Sequence, residues 1–133
     1  MPQTITLGYK ALLEEANALI PTVTVADAKR LMDEGAVLVD LRDPRELERE
    51  GRVPGSFHCP RGMLEFWIDP ESPYHKPVFA QDTPFVFMCA GGWRSALCAA
   101  VAHRMGLKPV MHVGGGFKAW KEEGAPVEEY KHK

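Results

Sequence analysis

The chain has little that would cross-link it, anchor it or draw it to a charged surface. Its 133 residues include three cysteines, Cys59, Cys89 and Cys98. An odd number with no CxxC pair argues against a secreted disulfide framework and against zinc-ribbon spacing. The thiols are therefore expected to be reduced. No apolar run approaches the length of a membrane span, and the opening MPQTITLGYKALLEEANALIPTV lacks a basic start and an apolar signal core. The expected location is cytoplasmic, with no membrane partner. The formal net charge of -2 supplies no global positive field, so nucleic acid is not an expected partner either. His58, His75, His103 and His112 show no pairwise ligand spacing and no accompanying carboxylate cluster, so neither a metal nor another cofactor is expected.

What is present suits one globular domain. Apolar residues make up 45% and charged residues 26%, with no low-complexity run. Residues 11–20 place Leu12, Ala16 and Leu19 at i, i+4 and i+7, predicting a short amphipathic helix that ends at Pro21. Residues 1–21 are read as an N-terminal helical extension and 22–133 as the main domain. Thr24 to Asp27 resembles a capping box ahead of a helix with Ala28, Leu31 and Met32 on its apolar face and Gly35 as its stop. Val37 to Leu41 reads as a buried strand. Asp43, Pro44 and Glu46 then carry helix-start chemistry, and Gly51 ends that helix.

Val53 to Phe57 reads as a further extended segment, and Met63, Leu64 and Trp67 as a helical turn or two. Four prolines between Asp69 and Pro84 predict an irregular connection, pinned to the core by Phe79. Phe85 to Met88 and Val110 to Val113 read as strands. Helices follow each, the first with Leu97, Val101 and Met105 on one face and Gly106 as its stop, the second with Phe117 and Trp120 inward and Gly124 as its stop. Strands alternating with helices predict an α/β domain with a largely parallel sheet.

The stretch that carries chemistry is Cys89-Ala90-Gly91-Gly92-Trp93-Arg94-Ser95, running from a buried strand into a helix. Only about 3% of an ordinary cysteine is thiolate at neutral pH. Unpaired first-turn N–H groups and the helix dipole stabilise negative charge on a sulfur placed there. Gly91 and Gly92 allow positive φ, so successive amides can turn toward the sulfur. Arg94 either orients an anionic donor or holds the loop together. Against this stands a plainer reading, in which Cys89 is a small buried hydrophobe.

The loop resembles the C-x-x-G-x-R-S active-site loop of single-domain members of the rhodanese family. Val39-Asp40-Leu41-Arg42 is similar to that family's V-D-x-R strand end, Gly51 to Pro60 to its G-H-I-P-G-A segment, and Gly115-Gly116-Phe117 to Trp120 with Gly124 to Pro126 to its closing motif. The resemblance covers Thr22 to Val127. It implies a rhodanese-like α/β fold: a twisted, mainly parallel five-stranded sheet with helices on both faces, plus the N-terminal helix.

It also implies a thiosulfate sulfurtransferase that needs no cofactor. Cys89 would take sulfur from a small-molecule donor as a persulfide and pass it to cyanide, a thiol or a protein acceptor. Ala90 to Ser95 would surround the donor, and Asp40 and Arg42 would form a structural network beneath. A carrier or protein-binding module that does not turn over is the alternative. The related Cdc25-type phosphatases and arsenate reductases place five residues between cysteine and arginine, whereas four intervene here, which disfavours that chemistry.

Four further positions carry alternative readings. Trp93 either narrows the pocket, offers a docking surface or packs on the domain. Arg61 either reaches the pocket rim or lies on a solvated face. Cys59 and Cys98 are expected as buried packing, with Cys59 the better candidate of the two for a resolving thiol. Arg52 stands where the family usually has histidine.

Overall fold

The computed structural model describes residues 2–131. The chain runs α1 (Tyr9–Leu19), β1 (Thr22–Val23), α2 (Val25–Asp33), β2 (Val37–Asp40), α3 (Pro44–Glu50), β3 (Phe57–His58), α4 (Leu64–Ile68), β4 (Phe85–Met88), α5 (Trp93–Met105), β5 (Val110–Val113) and α6 (Gly116–Glu122). Short 3-10 turns at Arg61–Met63 and Pro77–Ala80 lie in the connections. The five strands are all parallel, in the order β1-β5-β4-β2-β3.

Helices on both faces explain why the inner strands are mostly apolar, with Asp40 on β2 and His112 on β5 as buried polar exceptions. Val39, Phe85, Phe87 and Val110 face α1, α4 and α5, together with Ala16, Ile20, Leu64 and Ala99. Their neighbours Leu38, Val86, Met88 and Val113 face α2 and α6, against Ala28, Phe117 and Trp120. Successive strand residues thus supply two separate cores. Phe79 anchors the irregular connection to the first of these, as its sequence setting predicts.

Local signals set the helix starts. Thr24 caps α2 by accepting from the Asp27 amide at 3.1 Å. Asp43 and Glu46 form a reciprocal capping box on α3, with Asp43 accepting from the Arg45 amide and Glu46 from the Asp43 amide, each at 2.8 Å. Caps of this kind contribute about 1 kcal/mol each.

Helix faces follow tertiary packing instead of simple periodicity. In α1, Ala16 is buried and Leu13 packs on the core, while Leu12 and Leu19 are exposed, so the inward face is rotated from the predicted one. In α5 the small residues Ala96, Ala99, Ala100 and Ala102 are buried and Met105 is exposed. Alanines allow α5 to lie close to the sheet with α1 covering its other side. Between Val53 and Phe57 the extended segment shrinks to β3, because Pro54 and Gly55 form a turn. Arg52 instead bridges to Glu128, donating its amide at 2.9 Å and its Nε at 2.7 Å, which straps the C-terminal segment to the domain.

Candidate active site

Cys89 follows β4 immediately and lies below the first turn of α5. The amides of Gly92 and Ser95 donate to its Sγ at 3.1 and 3.3 Å. Ser95 Oγ stands 3.5 Å from the sulfur and accepts from the thiol. Two convergent N–H groups and a helix N-terminus form a cradle for negative charge on that sulfur. Of the two loop glycines, Gly92 takes a left-handed φ of 105°, while Gly91 does not, and a side chain at Gly91 would meet open space. The turn therefore depends on Gly92 alone.

The loop carbonyls are held from the far side by α6. Phe117 N donates to Cys89 O at 2.8 Å, and Lys118 N to Ala90 O at 3.1 Å. Gly116, at φ 57°, permits this approach: a Cβ there would overlap Cys89 O and stand 2.7 Å from Ala90 O. Gly116→Ala is expected to displace the loop and lower reactivity at Cys89 at least about tenfold, because small misplacements at a reacting centre are costly. Peptide-level alkylation of Cys89 compared with native protein checks this.

Arg94 turns to Glu46, donating through Nη1 and Nη2 to the two carboxylate oxygens, both at 2.9 Å. This fork ties the start of α5 to the start of α3. The Arg94 guanidinium pulls the Glu46 carboxyl from its ordinary 4.5 down to about 2, and Glu46 in turn raises Arg94. A depressed carboxyl contributes stability that is fully present above 4.5 and is lost as pH falls through about 2. The gap in urea midpoint between native protein and Glu46→Gln is therefore expected to be constant above pH 4.5 and to close on acidification toward 2.

Asp40 and Arg42 lie fully buried behind the loop. Arg42 Nε reaches Asp40 Oδ1 at 3.0 Å, Nη2 reaches Oδ2 at 2.8 Å, and Nη2 also donates to Gly51 O at 2.9 Å. Its guanidinium lies 4.0 Å from the centroid of Phe117. The pair thus joins the ends of β2, α3 and α6.

Trp93 is 62% exposed and its ring lies 5.1 Å from that of Tyr9 on α1. With Cys89, Gly91 and Arg94 it lines an opening of about 360 Å³. A larger depression of about 430 Å³ between α3 and α6 includes Ala90, Glu46 and Lys118 but not Cys89. The first of these, which Cys89 itself lines, is the candidate site. Arg61 is placed elsewhere, beside Leu64, Leu97 and Cys98, because the turn after Pro60 faces the flank of α5 instead of its N-terminus. Burial pushes the Cys59 thiol up to about 12 and the Cys98 thiol up to about 11, so both stay protonated in the core.

Sequence reasoning saw Glu46 only as an acid at a helix start, and left His112 and Asn17 without a role. Their signal is tertiary: Glu46 meets Arg94 across 48 residues, and His112 meets Asn17 across 95.

The fold and site together define a parallel α/β domain that presents one cysteine in an amide cradle after its central strand. The chain belongs to the rhodanese-like domain family, which matches residues 24–123. The thiosulfate sulfurtransferase GlpE of Pseudomonas syringae is 33% identical over 94 residues, 71% of this chain and 80% of that protein. The polysulfide-sulfur transferase homodimer of Wolinella succinogenes is similar in structure, with a TM-score of 0.71 and 30% identity over 93% of this chain and 89% of that one. A Rhodopseudomonas palustris protein of unknown function, described as a "possible tyrosine phosphatase", superposes with a TM-score of 0.92 at 62% identity, covering 96% of this chain and 99% of its own. Sulfurtransferases are thus among its relatives, and among the described residues no helix is long and apolar enough to cross a membrane.

Proposed function

We propose that the protein is a thiosulfate-type sulfurtransferase in which Cys89 carries the transferred sulfur. The observation that supports this most directly is the pair of amides, Gly92 and Ser95, donating to Cys89 Sγ. In the first step the Cys89 thiolate bonds to the outer sulfur of thiosulfate or a similar donor, the donor's S–S bond breaks, and sulfite leaves with the bonding pair. The resulting persulfide anion inherits the amide cradle. In the second step cyanide or a thiolate attacks the outer sulfur and Cys89 departs as thiolate. Covalent catalysis divides the transfer into two displacements that need no cofactor.

Arg94, Trp93 and Gly91 line the opening through which a donor would reach Cys89, and the amides of Gly92 and Ser95 point to the sulfur from behind. The guanidinium has N–H groups beyond the two committed to Glu46, which an anionic donor could accept from without breaking that anchor. A ring with four residues between Cys89 and Arg94 suits a single sulfur more than a tetrahedral phosphate. Three free thiols suit a reducing compartment such as the cytoplasm.

The test is incubation with thiosulfate followed by intact-mass analysis and by thiocyanate formation with cyanide. One added sulfur on Cys89 together with thiocyanate turnover is expected. Sulfur loading without turnover would make the protein a carrier. Failure to load, with hydrolysis of an aryl phosphate, would assign it to the phosphatases.

A further inference from the structure

Behind Cys89 the buried polar side chains of Ser95 and His112 lead to Asn17 on the N-terminal helix and to Thr22, both of which are exposed. Ser95 Oγ lies 3.1 Å from His112 Nδ1, and His112 Nε2 lies 2.9 Å from Asn17 Oδ1 and 3.1 Å from Thr22 Oγ1. Cys89, Ser95 and His112 are each no more than 3% exposed. Asn17 and Thr22 precede the span that matches the family, so the far end of this chain comes from outside it.

The partners fix the direction of every bond. Asn17 Oδ1 can only accept, and Thr22 Oγ1 donates to that same oxygen at 3.4 Å, leaving its own lone pair toward the ring. Nε2 is therefore the protonated nitrogen, and Nδ1 presents a lone pair. Ser95 donates its hydroxyl proton to Nδ1 and turns a lone pair toward the Cys89 thiol, which matches the 3.5 Å contact from sulfur to Oγ.

We propose that His112 takes the thiol proton of Cys89 through the hydroxyl of Ser95, so that the thiolate forms as half of an internal pair with a buried imidazolium. The step balances without an external base. The S–H bond breaks as its proton passes to Ser95 Oγ, the serine's own proton passes to Nδ1, and Ser95 ends donating to the sulfur anion and accepting from the imidazolium. His112 acts through Ser95 and is a positioning residue for the reaction at Cys89. Asn17 and Thr22 hold it in the tautomer that keeps Nδ1 open.

Among the described residues, the surroundings of the ring offer it no other charged partner. On β5 it is bordered by Thr22 of β1 and by Phe87 of β4, and α1 and α5 contribute Asn17 and Ser95, all uncharged. Burial alone lowers the imidazole below its ordinary 6.5, with no charged neighbour contributing. Burial thus keeps the resting ring neutral and by itself disfavours the imidazolium, which forms here only as the partner of the Cys89 thiolate across the Ser95 bridge.

The inference deepens the sulfurtransferase reading and rests on Cys89 being its reactive thiol, but its test needs no sulfur donor. Iodoacetamide alkylation of Cys89 is followed by peptide mass spectrometry across pH, while nuclear magnetic resonance follows the His112 ring. His112→Gln can still bond to Ser95 but cannot take its proton. That variant and Ser95→Ala are expected to alkylate about tenfold more slowly near pH 6.5, yet to match native protein in alkaline solution, where hydroxide replaces the internal base. Cys89→Ser is expected to lower the His112 titration midpoint by about one pH unit, by removing the charge that attracts the imidazolium. Superimposable rate profiles for native protein and His112→Gln, or a His112 midpoint indifferent to Cys89→Ser, would overturn the proposal. Coupled titration with no sulfur loading from thiosulfate would support the relay and remove the donor reading alone.

Discussion

Cys89→Ser is expected to lower thiocyanate formation from thiosulfate and cyanide at least about 10³-fold, to the uncatalysed background, because it removes the atom proposed to carry the sulfur. A serine hydroxyl fits the same space and can accept from the Gly92 and Ser95 amides, so the fold should survive. Thermal unfolding close to that of native protein would separate lost chemistry from lost structure. Cys59→Ala and Cys98→Ala are expected to load sulfur as native protein does. Their thiols lie in the core with values pushed up to about 12 and about 11, and the loading step does not use them. A Cys89→Ser variant that keeps turnover, or a Cys59→Ala variant that loses loading with its fold intact, would move the chemistry off Cys89.

The largest stability loss is expected from Arg42→Met. It leaves the Asp40 carboxylate buried without its guanidinium, at a cost of about 3–5 kcal/mol. For a domain of this size that corresponds to a Tm lower by about 10 °C or more. Two further anchors go with it, the bond to Gly51 O and the contact with the face of Phe117. Since Phe117 N holds Cys89 O, part of the damage should reach the loop. The double variant Asp40→Leu with Arg42→Met is expected to recover much of the Tm, because it removes the stranded charge as well as its partner. Calorimetry of both variants decides the matter: a single variant as stable as native protein would show that the pair contributes nothing net.

These two expectations differ in how far the sequence could lead to them. Cys89 stands out because strand, cysteine, glycines and helix follow one another within a dozen residues, and local order alone places a sulfur at a helix start. Asp40 and Arg42 could be recognised as a polar interruption after an apolar run. Their joint burial, and the reach of Arg42 to Gly51 and Phe117, required the sheet to bring α3 and α6 together.

The element boundaries show the same division. β4 and β5 span Phe85–Met88 and Val110–Val113, as read from the sequence, and Gly51, Gly106 and Gly124 each adopt positive φ at or just beyond a helix end. The inward faces of α1 and α5 were not legible in that way. Each packs against more than one neighbour, so burial follows residue size and close approach more than a single periodic stripe.

The sequence by itself determined the parallel α/β arrangement, the helix caps and the position of Cys89 between strand and helix. All of these arise from backbone preferences and side-chain patterns within a few residues. Only the tertiary structure decided that Arg94 answers to Glu46, that Gly116 admits the α6 amides to the loop carbonyls, and that Ser95 and His112 link Cys89 to Asn17. Those contacts join residues far apart in the chain. Hydrogen bonds of about 3 Å depend on where the packed sheet sets its neighbours, which no local pattern encodes.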